Sequence, residues 1–308
     1  MSTTGKWILG IVVAFAGMAF VVFAIAIFSF VGALTTASSP TYEESTGGSG
    51  TDRVAVIRLE EAITDASEVV RQLQKYRKRS SVKAIVLRLD SPGGGVVPSH
   101  EIYEEVNKTR KLGTPVVVSM GSVAASGAYY IACAASRVVA NPGTITGSIG
   151  VVSTFPNFKG LMDKIGVEQT TIKSGEFKDV GNPARAMTER ERSFLQSSID
   201  NVYGQFLRIV ATARNLPEDS VRALADGRIY TGEQAYKSGL VDTLGTFQTA
   251  VLIAGTLGKI SGEPRITEEV QRESLLDIFM GTRSSETLRR LEATLRNTPP
   301  VEYRMLFQ

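Results

Sequence analysis

Hydrophobic and polar positions fall into three regimes along the chain. From Trp7 to Leu34 no charge interrupts a run that includes Ile8, Val12, Phe15, Phe20, Val22 and Phe28. This exceeds the roughly 20 apolar residues that cross a bilayer. Leu34-Thr35-Thr36-Ala37 is a poor cleavage site, so residues 7–34 are expected to be an uncleaved transmembrane anchor. Lys6 precedes the run, and Glu43 and Glu44 are the first charges after it. That asymmetry puts residues 1–6 in the cytoplasm and the bulk of the chain outside the cell membrane. The second regime, residues 35–52, contains Ser45-Thr46-Gly47-Gly48-Ser49-Gly50 and reads as a flexible linker.

From Arg53 onward short apolar runs alternate with helical periodicity. Residues 54–59, 82–89 and 115–119 are rich in Val, Ile and Leu and predict buried strands. Between and after them, helices are expected over 65–78, from near Pro98 to Lys111, and from near Ala124. Short strands are expected at 137–140 and 167–172. Thr188-Glu189-Arg190-Glu191 is a capping box that opens a long amphipathic helix to about Arg214. Further helices are predicted at 217–224, before Gly239, and at 247–257. Beyond these lie two amphipathic segments, 273–280 and 285–296, and an apolar end, Val301 to Phe307, that suits a substrate groove. Repeated βα units of this kind predict an α/β fold with ligands at the strand ends.

Composition narrows the chemistry. With 308 residues, 43% of them hydrophobic, the chain can bury a substantial core. Its 34 Lys+Arg and 31 Asp+Glu give a net charge of +3 with no dense basic block, which gives no reason to expect nucleic acid as a partner. Cys133 is the only cysteine and His100 the only histidine. An intramolecular disulfide and a thiolate metal cluster are therefore excluded. A zinc site or a His-based triad would rest on His100 alone, at the start of a helix.

Three serines, a glycine run and two lysines remain as candidates. Ser126 lies on a strand-to-helix turn after Met120-Gly121-Ser122, where unpaired N–H groups favour an oxyanion; from this stretch alone, Ser122 and Ser126 fit better as residues that cap and pack a tight turn. Gly93-Gly94-Gly95 lets the backbone approach a ligand with N–H groups free for an anion. It lacks the Gly-Lys-Ser/Thr ending of a phosphate loop. Ser148 sits in the Gly/Ser-punctuated run 144–151. Lys173 and Lys178 flank Ser174-Gly175-Glu176-Phe177, and the residues alone do not choose between them.

Five motifs in order, Asp90-Ser91-Pro92-Gly93-Gly94-Gly95, Met120 to Gly127, Gly147-Ser148-Ile149-Gly150-Val151, Lys173 to Asp179, and Asp226 to Gly232, resemble the signal peptide peptidase A family over residues 53–257. The resemblance implies a Clp protease/crotonase-like fold of repeated ββα units behind one N-terminal transmembrane helix, with residues 258–308 as a helical extension and tail. It implies a serine peptidase that degrades signal-peptide remnants or other exported peptides without metal or organic cofactor. Ser126 takes the place of the nucleophile, Lys178 that of the general base, and Ser148 that of the serine that orients the lysine. Gly93 and Gly127 take the oxyanion amides. It also implies a homo-oligomeric ring in which Lys178 reaches the Ser126 of a neighbouring protomer. Keeping a lysine neutral near pH 7–8 takes about 4 kcal/mol of differential interaction, hence a desolvated site. The competing expectations are a related membrane Ser/Lys protease with one membrane-protein substrate, a catalytically silent ring scaffold, and an acyl-CoA enzyme sharing the fold. The anchor and the five motifs disfavour the last.

Overall fold

The computed structural model describes residues 41–48, 50–271 and 302–304, together with Met18 and Phe23. The chain divides into two units, residues 1–43 with 270–292, and residues 44–269 with 293–308. Of the first unit's expected anchor, Met18 and Phe23 are helical and exposed. The rest of 7–34 lies outside the described residues, as do the amphipathic segments 273–280 and 285–296. Among the described residues no helix is long and apolar enough to cross a membrane.

The strands are β1 (Thr41–Gly47), β2 (Arg53–Glu60), β3 (Val82–Ser91), β4 (Gly93–Gly95), β5 (Val116–Ala125), β6 (Arg137–Ala140), β7 (Ile145–Gly147), β8 (Ile229–Thr231), β9 (Thr243–Leu244), β10 (Arg265–Gln271) and β11 (Glu302–Arg304). The helices are α1 (Ser67–Arg77), α2 (Val96–Lys111), α3 (Gly127–Ala132), α4 (Lys159–Ile165), α5 (Glu189–Arg214), α6 (Glu218–Leu224), α7 (Gly232–Lys237) and α8 (Phe247–Leu257). One sheet runs β1-β10-β2-β3-β5-β6-β9, with β7 between β5 and β8. From β10 to β9 its pairings are parallel, while β7 and β8 are antiparallel. This is an α/β fold around a mixed sheet.

The continuous apolar reading of β2, β3 and β5 has a simple cause: both faces of the sheet are covered. Ala55, Ile57 and Leu59 join Ile85, Leu87, Val116 and Val118 in one core, under residues of α1, α2, α3 and α5. The alternate residues Val54, Val56, Ala84, Val86 and Val117 form a second core with Ala250, Val251 and Ala254 of α8. Each fully buried Val, Leu or Ile stabilises the fold by about 1.5–3 kcal/mol.

At α5 the expected capping box is present: the Glu191 N–H donates to Thr188 Oγ1 at 3.2 Å and the Thr188 N–H to Glu191 Oε2 at 2.9 Å. Elsewhere the structure corrects the local reading. β5 continues through Ala125, and helix α3 begins at Gly127 rather than near Ala124. Residues 167–172 form no strand; Ile172 is 96% exposed, and no neighbouring strand offers its backbone a partner. Conversely, β10 was not expected, because Arg265-Ile266-Thr267-Glu268-Glu269-Val270-Gln271 has only two large apolar residues. Its carboxylates are held from other elements instead, Glu268 by Arg58 at 2.5 Å and Glu269 by Lys75 at 2.6 Å and by Arg71.

Candidate active site

Three strands deliver the candidate residues to one end of the sheet. Ala125 of β5 pairs in parallel with Gly147 of β7, so Ser126 and Ser148 leave neighbouring strands at the same level. The Ser126 N–H donates to Gly147 O at 2.8 Å, and the Ser148 N–H to Arg228 O at 2.9 Å. Both serines have positive φ, 54° and 48°. For a residue with a Cβ that conformation costs about 1–3 kcal/mol, and such strain gathers at functional sites. Ser126 is 1% and Ser148 7% exposed. Neither hydroxyl has a hydrogen-bond partner among the described residues.

Ser91 of β3 pairs with Ala124 of β5, which brings the glycine strand β4 beside Ser126. Gly93 has φ 100°, and its N–H donates to Ser91 Oγ at 3.2 Å. A Cβ on Gly94 would stand 2.2 Å from Ile63 O, so only glycine allows β4 to lie against Ile63. One edge of β4 is used there: the Ile63 N–H donates to Gly93 O at 2.9 Å and the Gly95 N–H to Ile63 O at 2.8 Å. The other edge receives β11 antiparallel, with Glu302 opposite Gly95, Tyr303 opposite Gly94 and Arg304 opposite Gly93. Residues 302–304, near the end of the chain, thus pair with the glycine strand.

Three polar side chains that the sequence reading did not single out brace this corner. Asp90 Oδ1 accepts from the Val123 N–H at 3.0 Å. Thr144 Oγ1 donates to Gly121 O at 2.7 Å and Thr146 Oγ1 to Ala124 O at 2.6 Å. All three hold the end of β5, from Gly121 to Ala124, just before Ser126. Asp90 opens the first motif and the two threonines stand just before the third, but their bracing role was hidden because cross-strand partners are not visible in a single segment.

The single thiol and the single imidazole of the sequence are committed elsewhere. The Cys133 thiol is fully buried, and burial pushes its pKa up to about 11, which keeps it protonated and inert. His100 Nδ1 is hydrogen-bonded to Tyr130 OH at 2.8 Å and its ring stacks on Tyr103. Among the described residues no group of His, Cys, Asp and Glu could hold a metal ion.

Lys178 lies on a different kind of structure. From Thr154 to Lys178 every residue except Met162 is exposed, including Phe158, Leu161, Ile165 and Ile172. Near the end of this arm a 3-10 turn, Glu176–Asp179, carries Lys178. Lys173 Nζ is bound to Asp179 Oδ1 at 2.5 Å and to Glu176 O at 2.9 Å. Lys178, in contrast, has no ion pair or side-chain hydrogen bond among the described residues, and none joins it to Ser126 or Ser148 of its own protomer. Gly93, Ser126, Gly127 and Ser148 therefore share one corner, while Lys178 belongs to the exposed arm. Beside Ser148 a cleft of about 790 Å³ opens between α5 and β8, lined by Val151, Ile199, Tyr203 and Arg228 among others.

Comparison with known proteins gives two family matches: peptidase family S49 over residues 108–261 and Clp protease over residues 49–144. A putative protease of Synechocystis is 43% identical over 206 residues, covering 67% of this chain and 74% of that one. A putative signal peptide peptidase of Enterococcus faecium is 41% identical over 180 residues, 58% of this chain and 52% of that protein. A chloroplastic serine protease of Arabidopsis thaliana is 33% identical over 278 residues, 83% of this chain and 41% of that one. The chain thus spans about half the length of the last two relatives, and most of the first.

Proposed function

Since the chain belongs to peptidase family S49 and is a serine peptidase, we propose that it is a membrane-anchored endopeptidase with a Ser126/Lys178 dyad, completed between protomers of a ring, that degrades signal-peptide remnants or other exported apolar peptides. The observation that carries this reading is the Ala125–Gly147 register, which sets two strained serines side by side next to a glycine strand with a pairing edge. An extended peptide in the place of β11 would lie antiparallel on Gly93–Gly95, with its backbone at Ser126.

In the proposed reaction the neutral amine of Lys178, entering from a neighbouring protomer through the cleft at Ser148, takes the Ser126 proton. Ser126 Oγ attacks the peptide carbonyl. The oxyanion accepts hydrogen bonds from the Gly127 N–H and from the Gly93 N–H, which gives up its 3.2 Å bond to Ser91 Oγ for it. Lys178 then protonates the leaving amine, and water, deprotonated in turn by Lys178, hydrolyses the acyl-enzyme. Ser148, at the mouth of the cleft, orients the amine. Lys173, whose amine is already committed to Asp179 and to Glu176 O, is the poorer candidate. The exposed apolar face of the arm supports a neighbouring protomer as its cover, and the run 7–34 supports the anchor, with the peptidase unit outside the membrane.

The test is turnover of a fluorogenic apolar peptide by the full chain in detergent. Ser126→Ala and Lys178→Ala each lower it by on the order of 10⁴-fold, while Lys173→Ala retains measurable turnover. Mixing the two inactive variants restores about a quarter of wild-type activity, the chance that an interface pairs an intact Ser126 with an intact Lys178. Full activity in Lys178→Ala would exclude the dyad, and no restoration on mixing would place both residues in one protomer.

A further inference from the structure

Lys178 is followed directly by Asp179, and a carboxylate that close to an amine ordinarily holds it charged. In the structure Asp179 is occupied on all sides by other cations. Arg185 grips it twice, Nε to Oδ2 at 2.9 Å and Nη2 to Oδ1 at 2.8 Å, and Lys173 adds its bond at 2.5 Å. The Arg185 guanidinium, with help from Lys173, keeps the Asp179 carboxyl well below the usual carboxylate range.

Arg185 also reaches the far side of the clamp. Its Nη1 donates to Glu191 Oε2 at 2.8 Å and its Nη2 to Glu191 Oε1. Glu191 is the capping-box residue of α5, with a side chain only 2% exposed, and its pKa is lowered to about 2, chiefly by Arg185. Arg185 therefore ties the Lys178 turn to the one buried carboxylate at the start of α5. The neighbouring charges are settled in the same manner. Glu176 is held by Arg190 at 2.9 Å, and Glu189 by Arg192 at 3.7 Å. Arg190 also lies over the Phe177 ring, which packs against Phe194. Of the cations of this turn and the first turn of α5, Lys178 alone has no carboxylate partner among the described residues.

We propose that Arg185 is a positioning residue for catalysis: by binding Asp179 and Glu191 at once, it fixes the turn that presents Lys178 and keeps carboxylates away from its amine. The inference rests on the reading of Lys178 as general base. Its logic is electrostatic as well as steric. A base must be neutral before it can accept a proton, and a freed Asp179 would favour the ammonium form.

The experiment is the pH profile of kcat/KM for the full chain. Arg185→Met releases Asp179 toward Lys178, so the acidic limb moves up by about one pH unit and turnover at neutral pH falls about tenfold. The loss is carried by kcat rather than KM. Adding Asp179→Asn to Arg185→Met removes the released carboxylate and returns the limb toward its wild-type position. Lys173→Met, a change on the exposed loop that leaves the Arg185 clamp intact, moves the limb in the same direction by less. An unmoved acidic limb in a folded Arg185→Met, or a shift in Lys173→Met as large as that in Arg185→Met, overturns the proposal. So does a loss in Arg185→Met that is equal at every pH and not corrected by Asp179→Asn. Lys178→Ala is measured in the same series: if it stays active, the dyad reading itself fails, whereas an inactive Lys178→Ala with unmoved limbs in the others defeats only the role of Arg185.

Discussion

The strand-end corner and the arm are built on opposite principles. At the corner, Ser126 and Ser148 are nearly buried, their backbones are tied to Gly147 and Arg228, and Asp90, Thr144 and Thr146 brace the end of β5. On the arm, apolar side chains such as Phe158 and Ile172 face solvent, and order near Lys178 comes from ion pairs. Burial within one protomer is enough to strain and aim a nucleophile. It is not enough to desolvate an amine on an exposed arm, which needs a surface from elsewhere. On the proposed reading, the nucleophile is prepared within the protomer and the base is completed by assembly.

The sharpest way to break the corner is Gly94→Val. Its Cβ would meet Ile63 O at 2.2 Å and Ile63 N at 2.5 Å, so β4 must leave Ile63 and carry the Gly93 N–H with it. Peptide turnover should fall by on the order of 10²-fold or more, with KM also raised. The corresponding break in the arm is the double change Phe158→Asp and Ile172→Asp. Because both side chains are exposed in the protomer, the melting temperature of the peptidase unit should move little. Assembly, followed by analytical ultracentrifugation, and turnover should both be lost; an intact assembly would show that the arm is not an interface.

A smaller effect is expected at Thr146, whose hydroxyl donates to Ala124 O at 2.6 Å. Thr146→Val leaves that buried carbonyl without this donor, at a cost of about 1–3 kcal/mol in a denaturant melt. The smallest effect separates the regions by acid. Arg185, and secondarily Thr188, depress the Glu191 carboxyl, so its contribution is complete above its ordinary value of 4.5 and is lost as the pH falls through about 2. Hydrogen exchange should therefore show amides around 176–191 losing protection between about pH 4 and pH 2 while β5 keeps its own. Equal loss in both regions would erase the distinction.

Much of the corner was legible in advance. Strands buried on both faces appear as unbroken Val/Ile/Leu runs, which is why β2, β3 and β5 were readable. The Thr188 box and the span of α8 follow from local periodicity and capping. Ser126, Ser148 and the glycine run stood out by type and by motif order. Three things stayed hidden because they depend on partners far along the chain. β10 is stabilised by Arg58, Arg71 and Lys75, 194 to 210 residues upstream of their partners. β11, Glu302-Tyr303-Arg304, carries no strand signal of its own until β4 receives it. Residues 167–172 have strand-like composition and no strand to join.

The sequence by itself determined the α/β class, the candidate nucleophile and the pair of lysines from which a base would come. These are properties of short windows, where side-chain period, glycine placement and capping act over a few residues. Only the tertiary structure decided which of the two lysines is uncommitted. Lys173 and Lys178 are near-equivalents in the chain, and what separates them is where the Asp179 carboxylate points. That direction is set by Arg185 and by Glu191 at the head of another element. Charge pairing through space depends on which elements meet, and that is fixed only when the chain has folded.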